Sequence, residues 1–330
     1  MAQKPGQGVS AQQQPFAVDS PLEYAQQIKT VELPEVVETV VDEYDRVLGD
    51  RDRFLWKWIH NLFDAFTLSS VATDRKNTVR NHKTLLTVFI TTLDDLAERD
   101  SDTTTFDRAR HIPFRTETGK AEGEVVAFLA DLWETVEAEL RTAPRYEEFA
   151  DIFEYDFRQT VNAMDYSRFL NETPSAANRA EAERYDAYNM AVFPYACVDL
   201  MYSPSFDTDE LGALRSLLCD LQQMARIGNW VTTWQRELAE GDVSSGIAVC
   251  ALERGVITPT EVTDPDQATV DRLVDRIKSY GIEAEFMREW EIRSRAVRKR
   301  TGELDSIDVE AMVDGFETVM DHHLTSDGLK

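Results

Sequence analysis

Two sets of side chains in this sequence have the type and spacing to do chemistry. Asp94-Asp95-Leu96-Ala97-Glu98 closes the apolar run Leu85 to Leu93. On a helix Asp94 and Glu98 stand one turn apart on one face with Asp95 beside them, so carboxylates emerge together where a buried helix ends. Grouped hard oxygens suit Mg2+, which keeps several waters and is commonly held by one or two carboxylates together with substrate phosphates. A solvated acidic helix end would carry the same residues. The second set is scarcer: Asn229, Thr233 and Glu237 recur every four residues. They form one slowly drifting stripe of amide carbonyl, hydroxyl and carboxylate, able to offer three oxygen ligands to one cation. Leu221, Met224 and Ile227 precede the stripe and Trp230 and Trp234 adjoin it, which describes a helix buried on more than one side rather than a polar face in water.

Other chemistries find no support. The five histidines, His60, His82, His111, His322 and His323, lack zinc spacing, and no GxSxG, Walker A or GxGxxG pattern occurs. Against 35 Lys and Arg stand 61 Asp and Glu, a formal charge of -26, which repels a phosphate backbone and excludes nucleic acid as a partner bound through a basic face. No apolar run is long enough to span a bilayer, and the N-terminus has no stretch that would serve as a signal peptide. Cys197, Cys219 and Cys250 are odd in number, scattered and set in apolar context, as expected of thiols in a reducing cytoplasm. The carboxylates spread along the whole chain resemble the surfaces of proteins from extreme halophiles, where molar salt screens the repulsion.

The elements that must position these residues read as helices. Residues 1–19 are rich in Gln, Gly and Pro and are expected to be a disordered leader, followed by a single domain over 20–330. Apolar residues recur at helical spacing over 34–49, 51–72, 76–99, 121–143, 146–171, 177–203, 207–240, 244–255, 268–280, 282–300 and 307–324. No segment alternates as a strand does, so the fold class is all-α, a helical bundle. Residues 109–123, with Pro113 and Gly119, interrupt the helices. Pro194 is expected to kink or break the run 177–203, freeing a carbonyl near Met190.

An acidic DDxx(D/E) motif at a helix end, then N-x-x-x-(S/T)-x-x-x-E 135 residues later in an all-α chain, resembles the metal-binding pair of class I terpene synthases. The resemblance implies the class I terpenoid synthase bundle, Mg2+ held by Asp94, Asp95, Glu98, Asn229, Thr233 and Glu237, and a prenyl diphosphate substrate such as farnesyl, geranylgeranyl or a longer diphosphate. It also implies an arginine that senses the diphosphate about forty-five residues before the second motif on a helix that then breaks, a place Arg184 occupies. The carbocation left by ionisation needs a dry aromatic pocket, for which Phe63, Phe66, Phe89, Tyr188, Phe193, Trp230 and Trp234 are candidates, with Phe89, Phe193 and Trp230 foremost. The family's C-terminal Arg-Tyr pair has no counterpart here. Arg293, Arg295, Arg298 and Lys299 offer substitute cations, and Trp230 stands where many members carry Asp. Monomer and homodimer both fit. A linear prenyl diphosphate synthase normally shows a second aspartate-rich motif, which this chain lacks, and a non-catalytic scaffold would keep the bundle without turnover.

Overall fold

The computed structural model describes residues 21–49, 51–98, 103–114, 123–263 and 265–325. Among these residues there is no strand, and the chain is an all-α bundle. Its helices are α1 (Pro21–Lys29), α2 (Glu35–Val47), α3 (Arg53–Leu62), α4 (Lys76–Glu98), α5 (Thr103–Ala109), α6 (Glu124–Leu140) and α7 (Tyr146–Glu172). They continue as α8 (Arg179–Tyr185), α9 (Val192–Met201), α10 (Leu211–Ala239), α11 (Gly246–Glu253), α12 (Gln267–Ser279), α13 (Ile282–Arg298) and α14 (Val309–Thr325). None is long and apolar enough to cross a membrane.

Local chemistry sets many of the ends. The carboxylates of Asp52 and Asp266 accept from Phe54 N and Thr269 N, and Asn178 Oδ1 accepts from Glu181 N, so α3, α12 and α8 each start on a capped donor that would otherwise be unpaired. Buried Val37, Val40, Val41 and Tyr44 give α2 one apolar face, and Leu214, Leu217, Leu218, Leu221 and Met224 do the same for the first half of α10. Helix α10 is central, packing on α9, α11, α13 and α14, while α4 packs on α6 and α7. The apolar interior forms two clusters that both press on Trp290, one around α2 to α7, α9 and the start of α10, the other around the end of α10 with α11 to α13. Helix α14 approaches the turn after α3 so closely that a Cβ on Gly315 would lie 2.0 Å from the Ala65 carbonyl oxygen. Only glycine fits there.

Most helical segments expected from periodicity are present with small shifts at their ends, but the one expected over 51–72 stops at Leu62 and residues 63–72 form turns. Helices α1 and α5 carry too few apolar residues to be read, and α1 is held by burial of Tyr24, Ala25 and Ile28. The leader 1–19 and most of the interruption at 109–123 lie outside the described residues. The expected break within 177–203 exists, though not at the proline. Residues 186–190 tighten into a 3-10 turn and Ala191 takes a left-handed conformation (φ 51°, ψ 25°), unusual for a side-chain-bearing residue. Pro194 is the third residue of α9, inside the first turn, where the missing N–H costs no helical hydrogen bond.

Candidate functional site

Asp94 lies in the last turn but one of α4 and is half-buried. Its Oδ1 accepts a 2.8 Å hydrogen bond from the Asn189 amide, which comes from the 3-10 turn after α8. Burial pushes its carboxyl up to about 6, with repulsion from Asp95 and Asp242 adding to the shift and the Asn189 bond and the Arg226 charge opposing it. Glu237, near the end of α10, keeps 14 % of its side chain exposed. Burial pushes it up to about 7, aided by Asp242 and opposed by Arg226, Thr233 and Arg236. Carboxylates from α4 and α10 therefore feel the same two charges, Arg226 and Asp242. The fold brings the two sets of residues into one electrostatic neighbourhood with excess negative charge.

Arg226 is 5 % exposed and is fixed on three sides. Its Nε and Nη2 donate to the two oxygens of Asp186 at 2.6 and 2.8 Å, and its Nη1 donates to Asn229 Oδ1 at 2.6 Å. Asp186, fully buried in the 3-10 turn, also accepts from Trp230 Nε1 at 3.0 Å and from Ser167 Oγ at 3.2 Å. The turn thus reaches both ways, with Asp186 holding α10 through Arg226 and Asn189 holding the acidic end of α4. A bidentate pair of this kind fixes a planar guanidinium in one orientation. Asp242 arrives through a turn at Gly241, whose φ of 87° suits glycine alone, and is pinned by its N–H to Glu237 O (2.8 Å) and by Ser244 N donating to its Oδ1 (2.8 Å).

The structure distributes the other candidate residues differently from the sequence expectation. Asp95 turns away from Asp94 into an ion pair with Arg51, whose Nε donates to its Oδ2 at 3.0 Å. The Glu98 side chain lies outside the described residues. Asn229 reaches the neighbourhood through Arg226, and the Thr233 hydroxyl, which donates to Asn229 O at 2.7 Å, also stands within hydrogen-bond reach of Glu237. Arg184 is exposed and lines a groove between α7 and α8, with no hydrogen bond or ion pair to any described residue. The buried guanidinium beside the carboxylates is Arg226. Trp230 packs edge-on to Phe286, supporting Asp186 from behind, and Phe89 sits among Trp133 and Phe157 between α4, α6 and α7. Phe193 stacks on Tyr188 beneath the Arg215 guanidinium, which pairs with the buried Asp156. All three rings are buried within the apolar clusters. Arg293 and Arg298 are tied to Glu289, Glu317 and Asp314, Arg295 lies 3.7 Å from Glu291 on the surface, and Lys299 is exposed.

Among the described residues, no three His, Cys, Asp or Glu side chains converge tightly enough to hold a metal by themselves. The donor set nevertheless fits Mg2+: Asp94 and Glu237 are oxygen donors whose ionised forms lack full compensation, because the nearby Arg226 is already shared with Asp186 and Asn229. An ion that keeps its waters and shares a ligand's phosphates does not require direct convergence. Sequence reading missed Asn189, Asp186, Arg226 and Asp242. Arg226 carried a signal, lying one turn before Asn229 on the same face, whereas Asn189 and Asp242 reach the site only through the turn after α8 and the loop after α10. Compared with protein-family models and with curated proteins, the chain matches none.

Proposed function

We propose that this protein is a class I terpene synthase that ionises a prenyl diphosphate with Mg2+ and turns the resulting carbocation into a terpene, releasing diphosphate. The observation that carries the reading is the turn after α8, whose Asn189 donates to Asp94 at the acidic end of α4 and whose Asp186 holds Arg226, which in turn donates to Asn229 on the stripe of α10. Asp94 and Glu237, with Asn229 and Thr233 on the same stripe as Glu237, would hold the metal. Bound there, Mg2+ supplies neutralisation of the charge that gathers on the diphosphate as its allylic C–O bond breaks.

The chain's own residues do the rest of the positioning. Asn189 orients Asp94 and relieves part of its burial cost, so one carboxylate oxygen is fixed while the other is left for a ligand. Arg226, held by Asp186 and Asn229, keeps a permanent positive charge beside the carboxylates that would hold the metal, which lessens the net negative charge an incoming diphosphate would meet.

The test is incubation of the full chain in molar KCl with Mg2+ and, separately, geranyl, farnesyl and geranylgeranyl diphosphate. Diphosphate release is measured and the products analysed by gas chromatography. Metal-dependent release with a hydrocarbon or terpene alcohol supports the reading. Chain growth on adding isopentenyl diphosphate would assign an elongating synthase instead, and no release from any substrate would leave a scaffold.

A further inference from the structure

From His82 to Ala97 helix α4 is buried at every position but three: Thr87, Thr91 and Asp94. They recur at intervals of four and three residues and so share one face. Because α2, α3, α5, α6, α7 and α9 pack around the helix, that face opens inside the bundle. It is bridged at both ends. The Thr87 hydroxyl lies 2.7 Å from the Tyr195 hydroxyl of α9, and Asp94 accepts from Asn189 in the turn before α9. Residue numbers rise along α4 as they fall along the opposing segment, so Thr91 comes between the two bridges, opposite the stretch 190–192 that holds the left-handed Ala191. The hydroxyls of α4 do not behave alike. Those of Thr84, Thr87 and Thr92 donate to the carbonyls of Arg80, Lys83 and Val88, four residues back, at 2.7 to 2.8 Å. Thr91 makes no hydrogen bond to any described residue. Thr87 has its hydrogen committed to Lys83 O, so Tyr195 donates to Thr87 and neither hydroxyl has a hydrogen to spare. The free hydroxyl is Thr91, about 5 Å along the helix axis from Asp94 on the inward side. A wall that had only to shelter a hydrocarbon would carry an apolar side chain there.

We propose that Thr91 holds the water that ends the reaction, so that the product is a terpene alcohol rather than a hydrocarbon. The inference rests on the terpene synthase reading and adds the product class to it. A carbocation left by loss of diphosphate ends either by losing a proton or by gaining an oxygen. In the second course a lone pair of the water forms a C–O bond to the cationic carbon. The oxonium so formed passes one proton to the released diphosphate, which leaves a neutral alcohol. Thr91 serves this course by accepting one O–H of the water, which turns a lone pair away from the wall and toward the cation. With Thr91 on one side and diphosphate oxygens on the other, the water has the polar partners that a buried water needs. One helical turn from Asp94, it also stands beside the diphosphate end of the substrate, where allylic charge first develops and where the proton acceptor is.

The test is incubation of the full chain with Mg2+ and farnesyl or geranylgeranyl diphosphate in molar KCl made up in water labelled with heavy oxygen. Diphosphate release is measured and the products are analysed by gas chromatography with mass detection. The wild type should yield an alcohol that carries solvent oxygen. Thr91→Val, which keeps the shape and loses the hydroxyl, should lower the ratio of alcohol to hydrocarbon at least about tenfold, the scale of one lost hydrogen bond to a reacting group. Thr91→Ser should restore it. Thr92→Val, at a buried hydroxyl tied to Val88 O, should leave the ratio unchanged, with circular dichroism as the folding control for each variant. A wild type that releases diphosphate and makes only hydrocarbon would overturn the inference and leave the proposed activity standing, as would solvent-labelled alcohol at an unchanged ratio in Thr91→Val. An alcohol without solvent oxygen would mean cleavage at phosphorus, and no diphosphate release would mean no ionisation. Either would overturn the proposed activity, and this inference with it.

Discussion

The Asn189 amide donates to Asp94 Oδ1 at 2.8 Å, tying the turn that breaks the helical run after α8 to the acidic end of α4. Three residues earlier in the same turn, Asp186 holds Arg226 of α10. Removing the amide with Asn189→Ala should lower Mg2+-dependent diphosphate release roughly 10- to 100-fold, the usual cost of losing a group that orients a metal ligand. Asn189→Asp, which sets a carboxylate against a carboxylate, should lower it further. Release rates at saturating Mg2+, compared with those at limiting Mg2+, check this, since a lost orienting group is partly rescued by more metal.

Asp94→Ala and Glu237→Ala should each nearly abolish release, a larger loss than Asn189→Ala, with Glu98→Ala milder. Both carboxyls titrate higher in the folded chain, about 6 and about 7, than their ordinary values of 3.8 and 4.5. The metal-free folded chain therefore binds protons between about pH 4 and 7 that the unfolded chain does not, so these groups make stability rise as pH falls through that window and fall as it rises. At pH 8 Glu237→Gln should melt higher than the metal-free wild type while losing metal-dependent turnover. A lower melting temperature for the amide variant at pH 8 would show that Glu237 is compensated by a partner instead.

Arg226→Lys keeps the charge and loses the fork that meets Asp186, so turnover should fall by about a hundredfold, with Arg226→Ala lower still. Arg184→Ala should retain near-normal kinetics because Arg184 stands on the outer groove. Steady-state kinetics of the three variants decide between the two arginines. Near-normal turnover in Arg226→Ala would remove the guanidinium from the site.

With 61 acidic against 35 basic residues, melting temperature should climb from dilute buffer to molar KCl as like-charge repulsion is screened within a Debye length of about 3 Å at 1 M. Differential scanning calorimetry across the salt range measures it. A flat profile would mean that the surface ion pairs, such as Arg53 with Glu38, Asp42 and Asp45, already balance the charge.

The sequence by itself determined the helical class and most helix positions, because burial of an apolar stripe every 3.6 residues is a local constraint written in the order of residues. It also placed Asp94 at a helix end and Asn229, Thr233 and Glu237 on one stripe. Which carboxylates face one another is decided elsewhere. Asp94 and Asp95 are adjacent in sequence, yet one turns to Asn189 and the other to Arg51, because neighbouring residues on a helix point about 100° apart and only the packing of α4 says what each direction meets. Two arginines look alike as letters; Arg184 ends in water and Arg226 is enclosed by Asp186 and Asn229 because the turn ending at the left-handed Ala191 folds Asp186 onto α10. Burial and long-range charge depend on every element packed around a group, and no window of sequence contains them.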